Sequence, residues 1–130
     1  MKGILLISHG KMAEGTLDSI TVFFGDQIEK IDYLSLAHKD SPEFFLEQLE
    51  LKLSELDSGD GVVVFADLLG GTPANVTARL LSNKVDLISG MNLGMIMEFL
   101  GLRSSGDVDL EGILDAGRNN IQHINKLLKM

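Results

Sequence analysis

The sequence predicts an α/β protein, a three-layer α/β/α arrangement on a doubly wound, mainly parallel sheet of at least four strands. Three observations lead there. Short apolar runs, of the kind buried on both faces of a parallel sheet, alternate with stretches of helical periodicity. The connections are long enough for helices, so successive strands return by right-handed crossovers. The 130 residues are 45% hydrophobic, which suits one core and a single domain spanning residues 1–130.

The first strand is Ile4-Leu5-Leu6-Ile7. Leu17, Ile20, Phe23 and Phe24 follow at helical spacing, and Gly25-Asp26 ends that helix. Residues 28–36 alternate as a second strand. Ser41-Pro42 pairs an N-cap with a first-turn proline, opening a helix that carries Phe45, Leu49, Leu53 and Leu56. A turn over residues 57–61 leads into Val62-Val63-Val64-Phe65-Ala66, β-branched and bounded by turn signals. Thr72-Pro73 repeats the cap-then-proline pattern, predicting a helix to about Ser82. Residues 85–89 form a fourth strand, Gly90-Met91-Asn92-Leu93 a loop, and a short helix runs through Leu100. The polar segment 103–107 is expected to be mobile. A last helix starts near Asp109 and carries Leu110, Ile113, Leu114, Ile121, Ile124 and Leu128 on one apolar face.

Composition narrows the function. There are no cysteines, which removes disulfides and thiolate metal sites. The apolar run at the start is too short for a secretory signal, and none approaches the roughly 20 residues of a membrane span. A soluble, cytoplasmic protein is expected. The formal net charge of −8, with Lys and Arg scattered, argues against nucleic acid as a partner.

In a doubly wound sheet, ligands sit beyond the carboxyl ends of the strands, near the switch in strand order. His9, Asp67 and the Gly90 loop occupy such positions. His9 follows a buried strand, and its imidazole is nucleophilic near neutral pH. Gly10 beside it leaves room for an approaching group. Alone, Ser8-His9-Gly10 reads more readily as an ordinary loop. Asp67 follows the third strand, which commonly neighbours the first. A carboxylate there would fix the tautomer of the His9 ring and stabilise the positive ring formed on substitution. Alone it could also be a helix or loop cap. Gly70-Gly71-Thr72-Pro73 leads into a helix, where backbone N–H groups and the dipole favour an anion. Thr72 could cap that helix or donate its hydroxyl to a phosphoryl oxygen. The glycine spacing fits neither a Walker loop nor a dinucleotide fingerprint. Together the three pieces make a site for a phosphoryl group on imidazole, with His9 and Asp67 as catalytic residues and Gly10, Gly71 and Thr72 around the phosphoryl group. The scheme requires no metal and no cofactor.

Ser8-His9-Gly10 after a strand, with Asp67-Leu68-Leu69-Gly70-Gly71-Thr72-Pro73-Ala74-Asn75, resembles the IIA domain of the mannose family of the bacterial sugar phosphotransferase system. The similarity extends over the whole chain, including Gly90-Met91-Asn92-Leu93-Gly94-Met95. The resemblance implies that His9 takes a phosphoryl group from the phosphohistidine carrier HPr and gives it to a histidine of the cognate IIB. IIB then phosphorylates a sugar entering through the membrane proteins IIC and IID. It further implies Asp67 as hydrogen-bond partner, with Gly71 and Thr72 lining the phosphoryl site. Two departures from the family's pattern stand out. Leu68-Leu69 occupies a stretch where members often carry an aromatic. The chain also ends within or just after its last helix, so a swapped C-terminal strand is not expected. A homodimer through another surface is expected, with IIB as a separate chain.

The other candidates have weaker claims. His38 follows the second strand in a polar loop and is expected as a solvated residue, although it could approach the site. His123 is expected on a helix surface. Met91, Met95 and Met97 are expected to fill core rather than to form a docking surface. Lys11 lies near His9; Arg79 and Arg118 have no assigned task. A small tetrapyrrole metal chelatase is an alternative, because such proteins resemble this start. It needs a second metal-binding histidine late in the chain and leaves the Gly70 to Pro73 loop without a role. A regulatory phosphohistidine module is a further alternative.

Overall fold

The computed structural model describes residues 1–130, and contacts along the chain divide it into two compact units, Met1–Met91 and Asn92–Met130. The first unit holds the sheet: β1 (Gly3–His9), β2 (Ile31–Leu36), β3 (Val62–Ala66) and β4 (Val85–Ile88), in spatial order β2-β1-β3-β4. All three pairings are parallel. Parallel neighbours need crossovers, which α1 (Met12–Phe24), α2 (Pro42–Leu56) and α3 (Gly71–Ala78) supply. From β1 the chain winds outward to β2, then crosses back to place β3 on the other side of β1. The switch point therefore lies between β1 and β3. Their register pairs Ile7 with Ala66, so His9 and Asp67 leave the sheet at the same edge.

The alternation of β1 sorts the two faces. Leu5 and Ile7 pack in a buried cluster with Leu34, Phe45, Leu49, Leu56, Val62, Val64 and Ala66, on the side of α2 and α3. Ser8 points to the other side, where its hydroxyl accepts the Ala13 N–H of α1 at 2.7 Å. Both faces of β1 and β3 are buried, each large apolar side chain contributing about 1.5–3 kcal/mol. Ser41 caps α2, its hydroxyl accepting the Phe44 N–H at 3.1 Å, as its sequence predicts.

Several boundaries differ from expectation for identifiable reasons. β2 starts at Ile31 rather than 28 because Lys30 takes a left-handed conformation, φ 54°, which no strand accommodates. The helix expected from Thr72 opens instead at Gly71, with Gly70 as N-cap and no side-chain cap. Gly70 and Gly71 have φ of 81° and 78°, a turn that only glycine makes without strain. Thr72 and Pro73 thus fall inside the first turn.

The second unit contains α4 (Leu93–Leu102), a 3₁₀ turn at Arg103–Ser105, α5 (Leu110–Asn119) and α6 (Ile124–Leu127). Asn92 and Asp109 cap α4 and α5 with their side chains. α4 packs against α5, where the Met95 side chain sits so close to Gly117 that a Cβ there would be 2.4 Å from its methyl carbon. Met95 is buried, as is Met91 in the first unit, while Met97 is half-buried, which matches core filling. Within the segment 103–107, expected to be mobile, Arg103–Ser105 form a 3₁₀ turn with Arg103 buried.

The single last helix is also corrected. It breaks after Asn119 into α5 and α6, leaving Ile121, Ile124 and Leu128 exposed. Asn119-Asn120 is the cause, since asparagine competes for backbone hydrogen bonds. The Asn120 N–H turns back to the Gly117 carbonyl at 3.3 Å. No helix of the chain is long and apolar enough to cross a membrane.

Candidate functional site

His9 is the last residue of β1, and Asp67 follows directly after β3. The parallel register places them side by side. Asp67 Oδ2 accepts the His9 backbone N–H at 2.9 Å and faces His9 Nδ1 at 2.8 Å. Its other oxygen, Oδ1, accepts the Leu68 N–H at 2.9 Å. The carboxylate is nearly covered, 7% exposed, while the His9 side chain is 43% exposed. The orienting group is thus sheltered and the ring it orients is accessible.

Burial by itself would raise the Asp67 carboxyl. The His9 backbone N–H, the His9 ring and the Leu68 N–H outweigh burial and hold Asp67 below the ordinary carboxylate value. Asp67 is therefore ionised near neutral pH, and Nδ1 carries the ring proton that it accepts. That assignment leaves the Nε2 lone pair outward.

Gly71 closes on the other side of the ring. A Cβ placed on it would lie 2.8 Å from His9 Cε1 and 3.1 Å from Nε2. Glycine is needed here twice over, for its positive φ and for the approach of the backbone to the imidazole. The first turn of α3 thus begins beside Nε2. Helix N-termini present N–H groups and a positive dipole end to anions, which suits an anionic product on Nε2.

An open cavity of about 480 Å³ lies against the ring, lined by His9, Gly10, Leu36, Ala37, His38, Asp40 and Thr72. Thr72 does not cap α3 and is half-buried at this wall. Gly10 has φ 57°, and its N–H donates to the Leu36 carbonyl at 2.9 Å. It offers space rather than a donor. His38 is exposed and borders the same cavity. Leu68 and Leu69, next to Asp67, are exposed, Leu69 to 90%.

All five sequence-predicted site residues therefore meet at one sheet edge. The Gly70 to Thr72 loop, which a chelatase would leave without a task, packs on the histidine. His123 stands exposed before α6 and its side chain caps nothing. No three His, Asp or Glu side chains converge as a metal site. His38 is solvent-exposed, as expected, and also approaches the site. Its signal was positional, because β2 borders β1 and the loop after β2 must open beside His9.

The chain matches the family described as PTS system fructose IIA component over residues 3–114. It is 29% identical over 102 residues to the PTS system mannose-specific EIIAB component of Escherichia coli (strain K12), covering 77% of this chain and 31% of that protein. The chain thus spans about a third of the length of that relative. The crystal structure of phosphotransferase system component EIIA from Streptococcus agalactiae superposes with a TM-score of 0.87 at 25% identity, covering 97% of this chain and 99% of that one. The PTS IIA protein associated with the fucose utilization operon of Streptococcus pneumoniae gives 0.85 at 30% identity, covering 98% and 96%.

Proposed function

Because the chain belongs to the family described as PTS system fructose IIA component, we propose that His9 is its phosphoryl acceptor. The donor is the phosphohistidine carrier HPr, and the recipient is a histidine of a cognate IIB that works with IIC and IID in the membrane. Family membership supports a phosphoryl-carrier role in a sugar phosphotransferase system. The observation that carries the reading is the 2.8 Å contact of Asp67 Oδ2 with His9 Nδ1, which directs the Nε2 lone pair to the open cavity.

The chemistry follows from that geometry. Nε2 of neutral His9 attacks the phosphorus of the donor phosphohistidine. As the new N–P bond forms, the donor's N–P bond breaks and its electron pair returns to the donor ring. The His9 ring becomes positive, and Asp67 stabilises it through the Nδ1 proton, which stays in place. Charge on the phosphoryl oxygens meets the N-terminal turn of α3 and the Thr72 hydroxyl. Reversal of these roles hands the group to IIB. We take residues 1–130 as one such domain, acting in the cytoplasm as a homodimer.

Incubation with phosphoenolpyruvate, enzyme I and HPr tests this. A label that is acid-labile and base-stable, and absent from His9→Ala, is expected. No label, or undiminished label in His9→Ala, would overturn it.

A further inference from the structure

The phosphoryl group on His9 would enter a cavity whose walls offer it little positive charge. The chain carries a net charge of −8, and the His9 ring already faces Asp67. Of the residues lining the cavity, Asp40 is acidic, and His38 alone besides His9 can become a cation. Lys11 and Lys39 are close in sequence but do not line it.

His38 is also held in place. Leu36 pairs with His9 across the sheet, and the Gly10 N–H to Leu36 carbonyl bond ties the two strand ends together. The chain then turns sharply. The Asp40 N–H donates to the Ala37 carbonyl at 3.0 Å, and the Asp40 carboxylate accepts the Ala37 N–H at 2.7 Å. His38 and Lys39 form the corner of this doubly closed turn. One Asp40 oxygen is thus engaged with backbone, while His38 lines the cavity.

Resting on His9 as the phosphoryl acceptor, we infer that His38 is a second phosphoryl-contacting residue, its ring N–H donating to the phosphoryl oxygens on His9 across the cavity that both residues line. It would stabilise charge spread over those oxygens during transfer. His38 undergoes no covalent change in this role.

The test uses phosphoramidate, a small chemical donor that needs no carrier protein, with wild type, His38→Leu and His38→Gln. Imidazole 15N spectra of wild type are recorded before and after labelling. We expect label on His9, a shift of a His38 nitrogen on labelling, and labelling slowed about three- to tenfold in His38→Leu, the scale of one ordinary hydrogen bond. His38→Gln keeps an N–H donor and should recover part of the rate. Label on His9 with unmoved His38 resonances and equal rates would overturn the role of His38 alone. Failure of His9 to take label in wild type would instead overturn the acceptor assignment, and this inference with it.

Discussion

A single oxygen of Asp67, Oδ2, holds both the backbone N–H and the ring Nδ1 of His9, at 2.9 and 2.8 Å. Main chain and side chain of the histidine are therefore fixed by one carboxylate. Asparagine at position 67 could still accept the backbone N–H but would carry no charge to set against the phosphorylated ring. Asp67→Asn should remain folded while phosphoryl transfer through His9 slows roughly 10- to 100-fold, the usual cost of losing an orienting partner. Label transfer from HPr, followed against time beside a thermal melt, checks this. Normal transfer in a folded variant would rule out the orienting role.

Gly71 and Gly70 separate two consequences of one substitution. Both have φ near +80°, so alanine at either position strains the backbone by about 1–2 kcal/mol. Only at Gly71 would the new methyl collide with the His9 ring; at Gly70 nothing lies within 4 Å. Both variants should melt at lower temperature, and Gly71→Ala alone should also lose most of its labelling. Equal labelling in the two would show that the ring does not depend on this close approach.

The site was largely legible in the sequence because strand ends and crossover rules place His9, Asp67 and the Gly70 loop at one edge. Their distances were not. Nothing in Gly70-Gly71-Thr72-Pro73 distinguishes a capping threonine from two left-handed glycines that open the helix earlier. The chain's end departs from the expected single helix for a related reason. Periodicity linked Leu110 to Leu128 as one helix, but Asn119-Asn120 interrupts it, and an apolar spacing does not register the break. On α1, the spacing that correctly buries Ile20 also includes Phe23, which is 63% exposed.

Acid stability should depend on carboxylates held by backbone N–H groups. Asp57 accepts the Gly59 and Gly61 N–H groups at 2.8 and 2.9 Å, and these bonds lower its pKa. Asp67 is lowered as well. A carboxyl whose folded pKa lies below its unfolded value binds fewer protons when folded. Its contribution is complete above the unfolded value of about 3.9 and is lost as pH falls through the folded value. Melting temperature should therefore be level through neutral pH and fall below about pH 4. Asp57→Asn should make that acid limb shallower. An acid limb of unchanged steepness in Asp57→Asn would mean that its turn hydrogen bonds are equally formed in the unfolded chain.

Leu69 offers a way to separate chemistry from partner docking. It is 90% exposed, two residues beyond Asp67, with Leu68 also exposed. A surface leucine replaced by a small polar residue changes stability by within about 0.5 kcal/mol, so Leu69→Ser should fold and melt as the parent does. Phosphoramidate does not need the protein surface around His9, and its labelling of His9 should be unchanged. A carrier protein must rest on that surface to bring its phosphohistidine to Nε2. A residue that anchors an interface, unlike most of its neighbours, costs more than about 1 kcal/mol when truncated. Transfer from HPr, measured below saturation, should accordingly fall about fivefold or more. Equal loss with both donors would mean that Leu69 acts on the His9 site itself. No loss with either would place the docking surface elsewhere around the cavity.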